Sequence, residues 1–322
     1  MSSKANGIHV DAASKTYRRT SGSLLHRERK TIDALRDVTF QIPAGTLVGC
    51  IGPNGAGKST LVKLLCGILK PDSGTVNVNG REPFSQRQEH VRHIGVVFGQ
   101  RTQLWWDLPV SDTFALLRAL YQVPGHRFDA RQKLLVDRLG IGNVLTQRVR
   151  ELSLGQRMRC ELAAALLHEP DVIFLDEPTI GLDAEAKLAV RELLRWLQQS
   201  GDVTTFLTTH DLQDIEAVAD RVMVFGNGRI LLDGSLAELR SAFGSTKVIR
   251  IVTDKPVGHM AAIPLKAIGN EQTFTFDPGV IPAADLLAAF AAQAVIHDVE
   301  ITDQSIDETV ARMYQHHRGV QS

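Results

Sequence analysis

Nine consecutive residues carry the densest chemistry in the chain: Gly52, Pro53, Asn54, Gly55, Ala56, Gly57, Lys58, Ser59 and Thr60. The glycines let successive backbone N–H groups turn toward one point with no Cβ in the way, which makes a cradle for an anion. Lys58 adds a full positive charge, and the Ser59 hydroxyl is an oxygen ligand suited to Mg²⁺. The G-x-x-x-x-G-K-[ST] spacing is that of a loop holding the phosphates of a nucleoside triphosphate, with Lys58 on the β- and γ-phosphates. A mere glycine-rich turn is the ordinary alternative. The flanks argue against it: residues 46–51 read as an apolar strand and residues 61–69 as a helix. A helix starting near Lys58 brings the positive end of its dipole to the same point.

A second apolar run, residues 172–175, ends in Asp176 and Glu177. An acidic residue at such a strand end suits the Mg²⁺ shell, and Glu177 is placed to polarise a water for in-line attack. Upstream, Leu152-Ser153-Leu154-Gly155-Gln156 opens a helix-like run that reaches His168. Ser153 and Gln156 fit a capping box, the mark of a plain helix start. A second phosphate-binding helix end is the sharper reading of the same residues.

These segments stand in the order found in the ATP-binding cassette (ABC) ATPases, and the chain resembles that family over about residues 8 to 240. The run 152–156 is similar to the family signature L-S-G-G-Q, with Leu154 in place of the first glycine. Gln100, after the strand-like residues 94–98, matches the Q-loop glutamine. The resemblance puts it in the catalytic set and, with Ser59 and Asp176, in the Mg²⁺ shell. Gly181-Leu182-Asp183 matches the D-loop. His210, after residues 204–209, matches the switch histidine, and Tyr17 the aromatic that stacks on adenine. Taken singly, His210 reads as a strand-end histidine and Tyr17 as core. His168, beside Glu169 and Pro170, reads as a histidine that merely suits a helix C-terminus.

The resemblance implies a mechanism. Two copies meet head to tail, and each ATP is held by Lys58, Ser59, Thr60, Gln100, Asp176, Glu177 and His210 of one copy. Ser153, Gly155 and Asp183 of the other copy complete the site, with Gln156 beside them. ATP then closes the dimer and hydrolysis releases it, which would drive a membrane permease.

Composition sets outer bounds. The chain has 322 residues, room for one large domain and a small one. Lys+Arg and Asp+Glu both number 36, so no basic excess points to nucleic acid. Cys50, Cys66 and Cys160 are odd in number and lie in apolar runs. They read as core thiols in a reducing compartment. No secretory signal opens the chain, and residues 286–296, the longest apolar stretch, are interrupted by Gln293 and too short to span a bilayer. The expectation is a cytoplasmic protein, peripheral on the inner face of the membrane, whose permease is encoded separately.

The fold class expected is α/β: a P-loop NTPase core with a β-subdomain and a helical signature subdomain, then a small C-terminal α+β domain. Residues 1–245 form the ATP-binding domain, with the helical part at about 101–170, and residues 246–322 the accessory domain. Residues 8–50 read as short strands with a loop between them, and Asn79-Gly80 as a hairpin turn. Helices are expected at 110–123 and 130–139. In the tail the order expected is strand (247–252), strand (273–276), helix (283–294), strand (294–301) and helix (305–314). That tail is read either as a passive appendage or as a clamp on the second copy.

Two segments exceed a minimal cassette. Residues 18–30 are basic and read as a solvated loop, or as a contact to lipid headgroups or a partner. Trp105 and Trp106, soon after Gln100, fit either buried core or the groove that receives the transmembrane subunit in ABC ATPases. Residues 95–109 and 152–159 together are similar to bacterial cassettes of the type-two exporter class, which serves drugs, antibiotics and polysaccharides; residues 298–310 resemble the accessory domain of such cassettes. An importer motor and a soluble, non-transport ABC ATPase are the alternatives. The residues name no cargo.

Overall fold

Two paired apolar strands, residues 47–51 leading into the phosphate-binding loop and residues 204–209 beside them, set the architecture, because each is buried along its whole length and needs cover on both faces. The computed structural model describes residues 7–21, 28–99, 101–241 and 246–303. It divides into two compact units, Met1–Asp233 and Gly234–Ser322. The division falls about a dozen residues before the 245/246 boundary read from the sequence.

In chain order the first unit holds β1 (Gly7–Ser21), β2 (Glu28–Pro43), β3 (Leu47–Ile51), α1 (Lys58–Leu65), β4 (Ser73–Val78), α2 (Arg87–His90) and β5 (Ile94–Phe98). Helices α3 (Val110–Tyr121), α4 (Gly125–Leu139) and α5 (Leu154–Leu166) follow. The chain then returns to alternation: β6 (Val172–Asp176), α6 (Ala184–Ser200), β7 (Thr204–Thr209), α7 (Leu212–Glu216), β8 (Arg221–Gly226) and β9 (Arg229–Ser235), the last crossing into the second unit.

Among the described residues the main sheet has the order β5-β6-β7-β3-β8-β9, and its first five strands are parallel. Every residue of β3 and β7 is buried. Parallel strands joined by crossovers deliver all their C-terminal ends to one edge, where ligands bind in such sheets. The register shows the consequence. Ile51 lies opposite Thr209, and Asp176 opposite Thr208, so three distant stretches of sequence finish at one level.

A three-stranded antiparallel sheet, β2-β1-β4, covers the other side. Ile8, Val10, Phe40, Ile42, Val76 and Val78 pack there with Leu61 and Leu65 of α1, all in one core. The basic segment differs from expectation. Residues 18–21 and 28–31 continue the β1–β2 ladder, from Arg18 opposite Thr31 to Ser21 opposite Glu28. Side-chain charge does not oppose strand pairing when the neighbouring strand extends an existing backbone ladder. Residues 22–27 lie outside the described residues. Asn79 and Gly80 do turn with positive φ (50° and 80°), yet the return strand shrinks to one bridge, Val78 to Arg81. Pro83 explains this, having no N–H to carry the ladder on.

His168 also departs from expectation. Its Nε2 lies 2.9 Å from the Ile94 carbonyl, and its ring stacks on Tyr121 at 3.9 Å. Burial pushes its pKa down to about 4, so the ring is neutral and does not serve as a cation at the helix end. The sign of the pH effect follows. The unfolded chain takes a proton near pH 6.5 and the folded chain only near 4, so this contribution is complete above 6.5 and lost as pH falls toward 4. Stability should drop by up to about 2 kcal/mol from this group between pH 7 and pH 5. Urea titrations at both pH values should show the drop in the parent and a smaller one in His168→Gln; equal drops would refute the assignment.

The second unit holds α8 (Leu236–Ser241), β10 (Lys247–Thr253), β11 (Ala262–Ile268), β12 (Glu271–Phe276), α9 (Ala283–Ala291) and β13 (Ile296–Asp303). Its antiparallel sheet has the order β11-β12-β10-β13. Leu286 and Phe290 of α9 pack on Ile249, Ile251, Phe274 and Phe276. Strand β11 was not expected from the sequence. It is an edge strand, exposed at every position after Ala262 and carrying Pro264, so it lacks a buried face to betray it. The helix expected at 305–314 lies outside the described residues.

Candidate nucleotide site

The glycine-rich loop runs from the end of β3 to α1. Gly57, the residue before α1, has φ +113°, and a Cβ there would lie 2.4 Å from the Ala34 carbonyl oxygen. Only glycine fits. No side chain of the described residues caps α1, so its first N–H groups remain directed at whatever sits in the loop. Lys58 is buried, 4% exposed. Its Nζ donates to the Gly52 carbonyl at 2.6 Å and to that of Pro53 at 3.3 Å, and it stands 3.5 Å from Glu177 Oε1. The loop therefore closes around its own ammonium.

Opposite the loop, Ser59 Oγ donates to Asp176 Oδ1 at 3.2 Å, and Thr208 Oγ1 donates to the same oxygen at 2.6 Å. A hydroxyl and a carboxylate side by side are the hard oxygen donors that Mg²⁺ takes, and the pair fits that ion. Glu177 has φ +55°, an uncommon conformation for a residue with a side chain. Its N–H donates to the Thr208 carbonyl at 3.0 Å, and its Oε2 lies 3.2 Å from His210 Nδ1. Strain held by neighbouring strands is common where a side chain must be aimed.

Of these groups Ser59, Asp176 and Glu177 border a hollow of about 400 Å³, whose wall also includes Asn54 and Lys63. Gln100 lies outside the described residues. Its neighbour Gly99 is on the wall, donates to the Asp176 carbonyl at 2.8 Å, and has no room for a Cβ. Tyr17 stands on β1 opposite Ile32, 37% exposed, and is not part of that wall.

The signature residues gather elsewhere. Ser153 caps α5 through a complete capping box: Gln156 N–H donates to Ser153 Oγ at 3.2 Å, and Ser153 N–H to Gln156 Oε1 at 2.9 Å. Asp183 caps α6 by accepting from Ala186 N–H at 2.8 Å. Ser153, Gly155, Gln156 and Asp183 line a second, polar hollow of about 360 Å³ that shares no wall residue with the first. A Cβ on Gly155 would come within 2.8 Å of Ala186 Cβ, which accounts for the glycine. Leu154 lines a different gap, beside Gly99 and Thr102, so its bulk is accommodated away from the signature hollow.

Three supports were not foreseen from the sequence. Thr208 is the first. Buried Asp214 is the second: it accepts from Thr179 Oγ1 and from Arg191 Nε at 2.8 Å, tying the chain after Glu177 to α6 and α7. Glu161 is the third. Burial pushes its pKa up, while bonds from Thr102, Gln103 and Leu104 pull the other way. Trp105 and Trp106 are 44% and 47% exposed, which removes buried core as their explanation.

The comparisons agree with this geometry. The ABC transporter family model matches residues 35–180. NatA, an ABC transporter ATP-binding protein of Bacillus subtilis, is 32% identical over 66% of this chain and 86% of its own. The daunorubicin resistance ATP-binding protein DrrA3 of Streptomyces coeruleorubidus is 34% identical, over 75% and 72%. The zinc transport system ATP-binding protein TroB of Treponema pallidum is 35% identical, over 78% and 88%. Among solved structures, the dimer of MJ0796, a bacterial ABC transporter cassette, matches with TM-score 0.61 and 25% identity over 71% of this chain and 98% of that one.

A P-loop NTPase sheet with a separate signature hollow defines a cassette ATPase. The chain belongs to the ABC transporter family, as an ATP-hydrolysing motor subunit. Among the described residues no helix is long and apolar enough to cross a membrane.

Proposed function

We propose that two copies of this chain bind two ATP molecules between them and drive a separately encoded membrane permease, an exporter, from the inner face of the membrane. The observation that carries the reading is the division of the nucleotide machinery into two hollows with no shared wall residue. One copy cannot close both around one triphosphate; a head-to-tail pair can. The MJ0796 cassette, similar in fold, forms a dimer.

Within each shared site the loop N–H groups and Lys58 hold the β- and γ-phosphates. Ser59 and Asp176, with Gln100, would hold Mg²⁺, which would supply charge neutralisation at the phosphates. Glu177 orients the attacking water and takes its proton, and His210 fixes the second Glu177 oxygen. Thr208 keeps Asp176 turned toward Ser59. Ser153, Gly155 and Asp183 of the other copy face the γ-phosphate.

Exposed Trp105 and Trp106 form the docking surface for the permease. Export is favoured by the residue pattern around them and around the signature. Import remains the second reading, because the sulfate/thiosulfate import ATP-binding protein CysA of Mycobacterium tuberculosis is 37% identical over 65% of this chain and 59% of its own. Changing both tryptophans to Ala should shift stability of the isolated subunit by no more than about 1 kcal/mol, the scale of surface changes plus one cation–π contact. ATP affinity should be unchanged, while stimulation by permease-containing membranes is lost. A large fall in melting temperature, or full stimulation, would sink the docking role.

A further inference from the structure

Helix α5 begins at the signature, and one of its faces lies against the segment that follows Gly99. Leu154, Arg157, Met158 and Glu161, at the spacing of a single helical stripe, face a narrow gap whose far wall includes Gly99 and Thr102. Glu161 is 3% exposed. A buried carboxylate is costly unless donors meet both oxygens. Here the donors come from another segment. Thr102 Oγ1 donates to Oε1, and Gln103 N–H reaches Oε1 at 2.9 Å and Oε2 at 3.1 Å. Thr102 Oγ1 in turn accepts from Leu104 N–H at 3.2 Å. One turn earlier, the Arg157 guanidinium lies over the Trp106 ring at 5.4 Å. The same helix thus grips residues 102–106 at two points, and carries Ser153 and Gly155 at its start.

We propose that Glu161 is a positioning residue for hydrolysis: its carboxylate joins α5 to residues 102–106 as one lever, so that a displacement at the exposed Trp105–Trp106 surface reaches Ser153 and Gly155 at the other copy's ATP. The inference rests on the shared-site reading above. The carboxylate does not touch ATP. It acts by fixing where the signature stands, and small misplacements of positioning groups are expensive in rate.

The test uses the full chain and ATP. Glu161→Ala should lower kcat about 10-fold or more while the KM for ATP stays within about two-fold, since binding groups are untouched. Glu161→Gln keeps an acceptor oxygen in place and should recover most of the loss, which a charge-only role would not allow. Thr102→Ala removes one donor and should lower kcat less. Combined with Glu161→Ala it should add nothing, because both changes break one contact. If Glu161→Ala does not fold, Thr102→Ala and Glu161→Gln carry the test through the same split of kcat from KM. Unchanged kcat in Glu161→Ala or, where that variant does not fold, in Thr102→Ala, additive losses, or a parallel collapse of kcat, ATP binding and melting temperature in Glu161→Gln would overturn the lever. A dilution series of the parent separates the two levels. Turnover second order in protein with unchanged Glu161 variants refutes the lever alone, whereas first-order turnover refutes the shared site and the lever with it.

Discussion

Glu177→Gln should leave ATP binding intact and reduce turnover by about 10²–10⁴, the usual worth of a general base. The substitution keeps the side-chain shape and removes the charge. The proposed phosphate contacts come from the loop and Lys58, and Lys58 Nζ is held chiefly by Gly52, at 2.6 Å against 3.5 Å to Glu177. The loop should therefore keep its geometry. The φ of +55° at this position belongs to the backbone and is the same strain for Gln as for Glu. What disappears is the carboxylate proposed to accept the water's proton. With ATP bound and not consumed, the closed dimer should accumulate. Size-exclusion chromatography in ATP and Mg²⁺ should show a dimer peak that the parent lacks after equal incubation. Parental turnover in the variant would end the assignment, and so would a monomer peak at saturating ATP.

How far the sequence alone led depends on what kind of constraint each residue meets. Gly57, Gly155 and Lys58 were legible because a backbone φ, a close approach or a lone charge allows only one residue type, whatever the surroundings. Asp176 was legible as a strand end, whereas His210 stood out only through the resemblance to the ABC ATPases. Thr208 was not, because its role comes from the register of β7 beside β6, which places it level with Asp176. Asp214 and Glu161 were missed for a related reason. Each is a carboxylate on a helix, and sequence shows neither its burial nor the donors that come from other elements. Within the basic segment, residues 18–21 and 28–30 misled in the opposite direction: their charge suggested solvent, while pairing was set by the strand beside them. Strand β11 left no period to read, since beyond Ala262 this exposed edge buries nothing on either face.

The head-to-tail arrangement makes the strongest demand, because two defects in different copies should compensate. Lys58→Ala removes the phosphate-binding charge of a subunit's own loop. Ser153→Asp keeps a good helix cap, so α5 should survive, yet it sets a negative charge where the signature would meet the other copy's γ-phosphate. Each pure variant should lose at least about 10² in turnover, the scale of removing one group that stabilises transition-state charge. Mixed in equal amounts, half of the dimers should pair one variant with the other. In each such dimer one site joins the intact loop of the Ser153→Asp chain to the intact signature of the Lys58→Ala chain, and the other site carries both defects. Recovery to as much as about a quarter of parental turnover is expected, half of the dimers times one of two sites in a symmetric pair. Sites built within one copy predict something else: no mixture can exceed the mean of its components, since no subunit in it carries both an intact loop and an intact signature. A mixture no more active than that mean, at protein concentrations where the parent turns over fully, would reject the shared site. Recovery that vanishes on dilution would support it further, because the working site would then exist only while two chains are together.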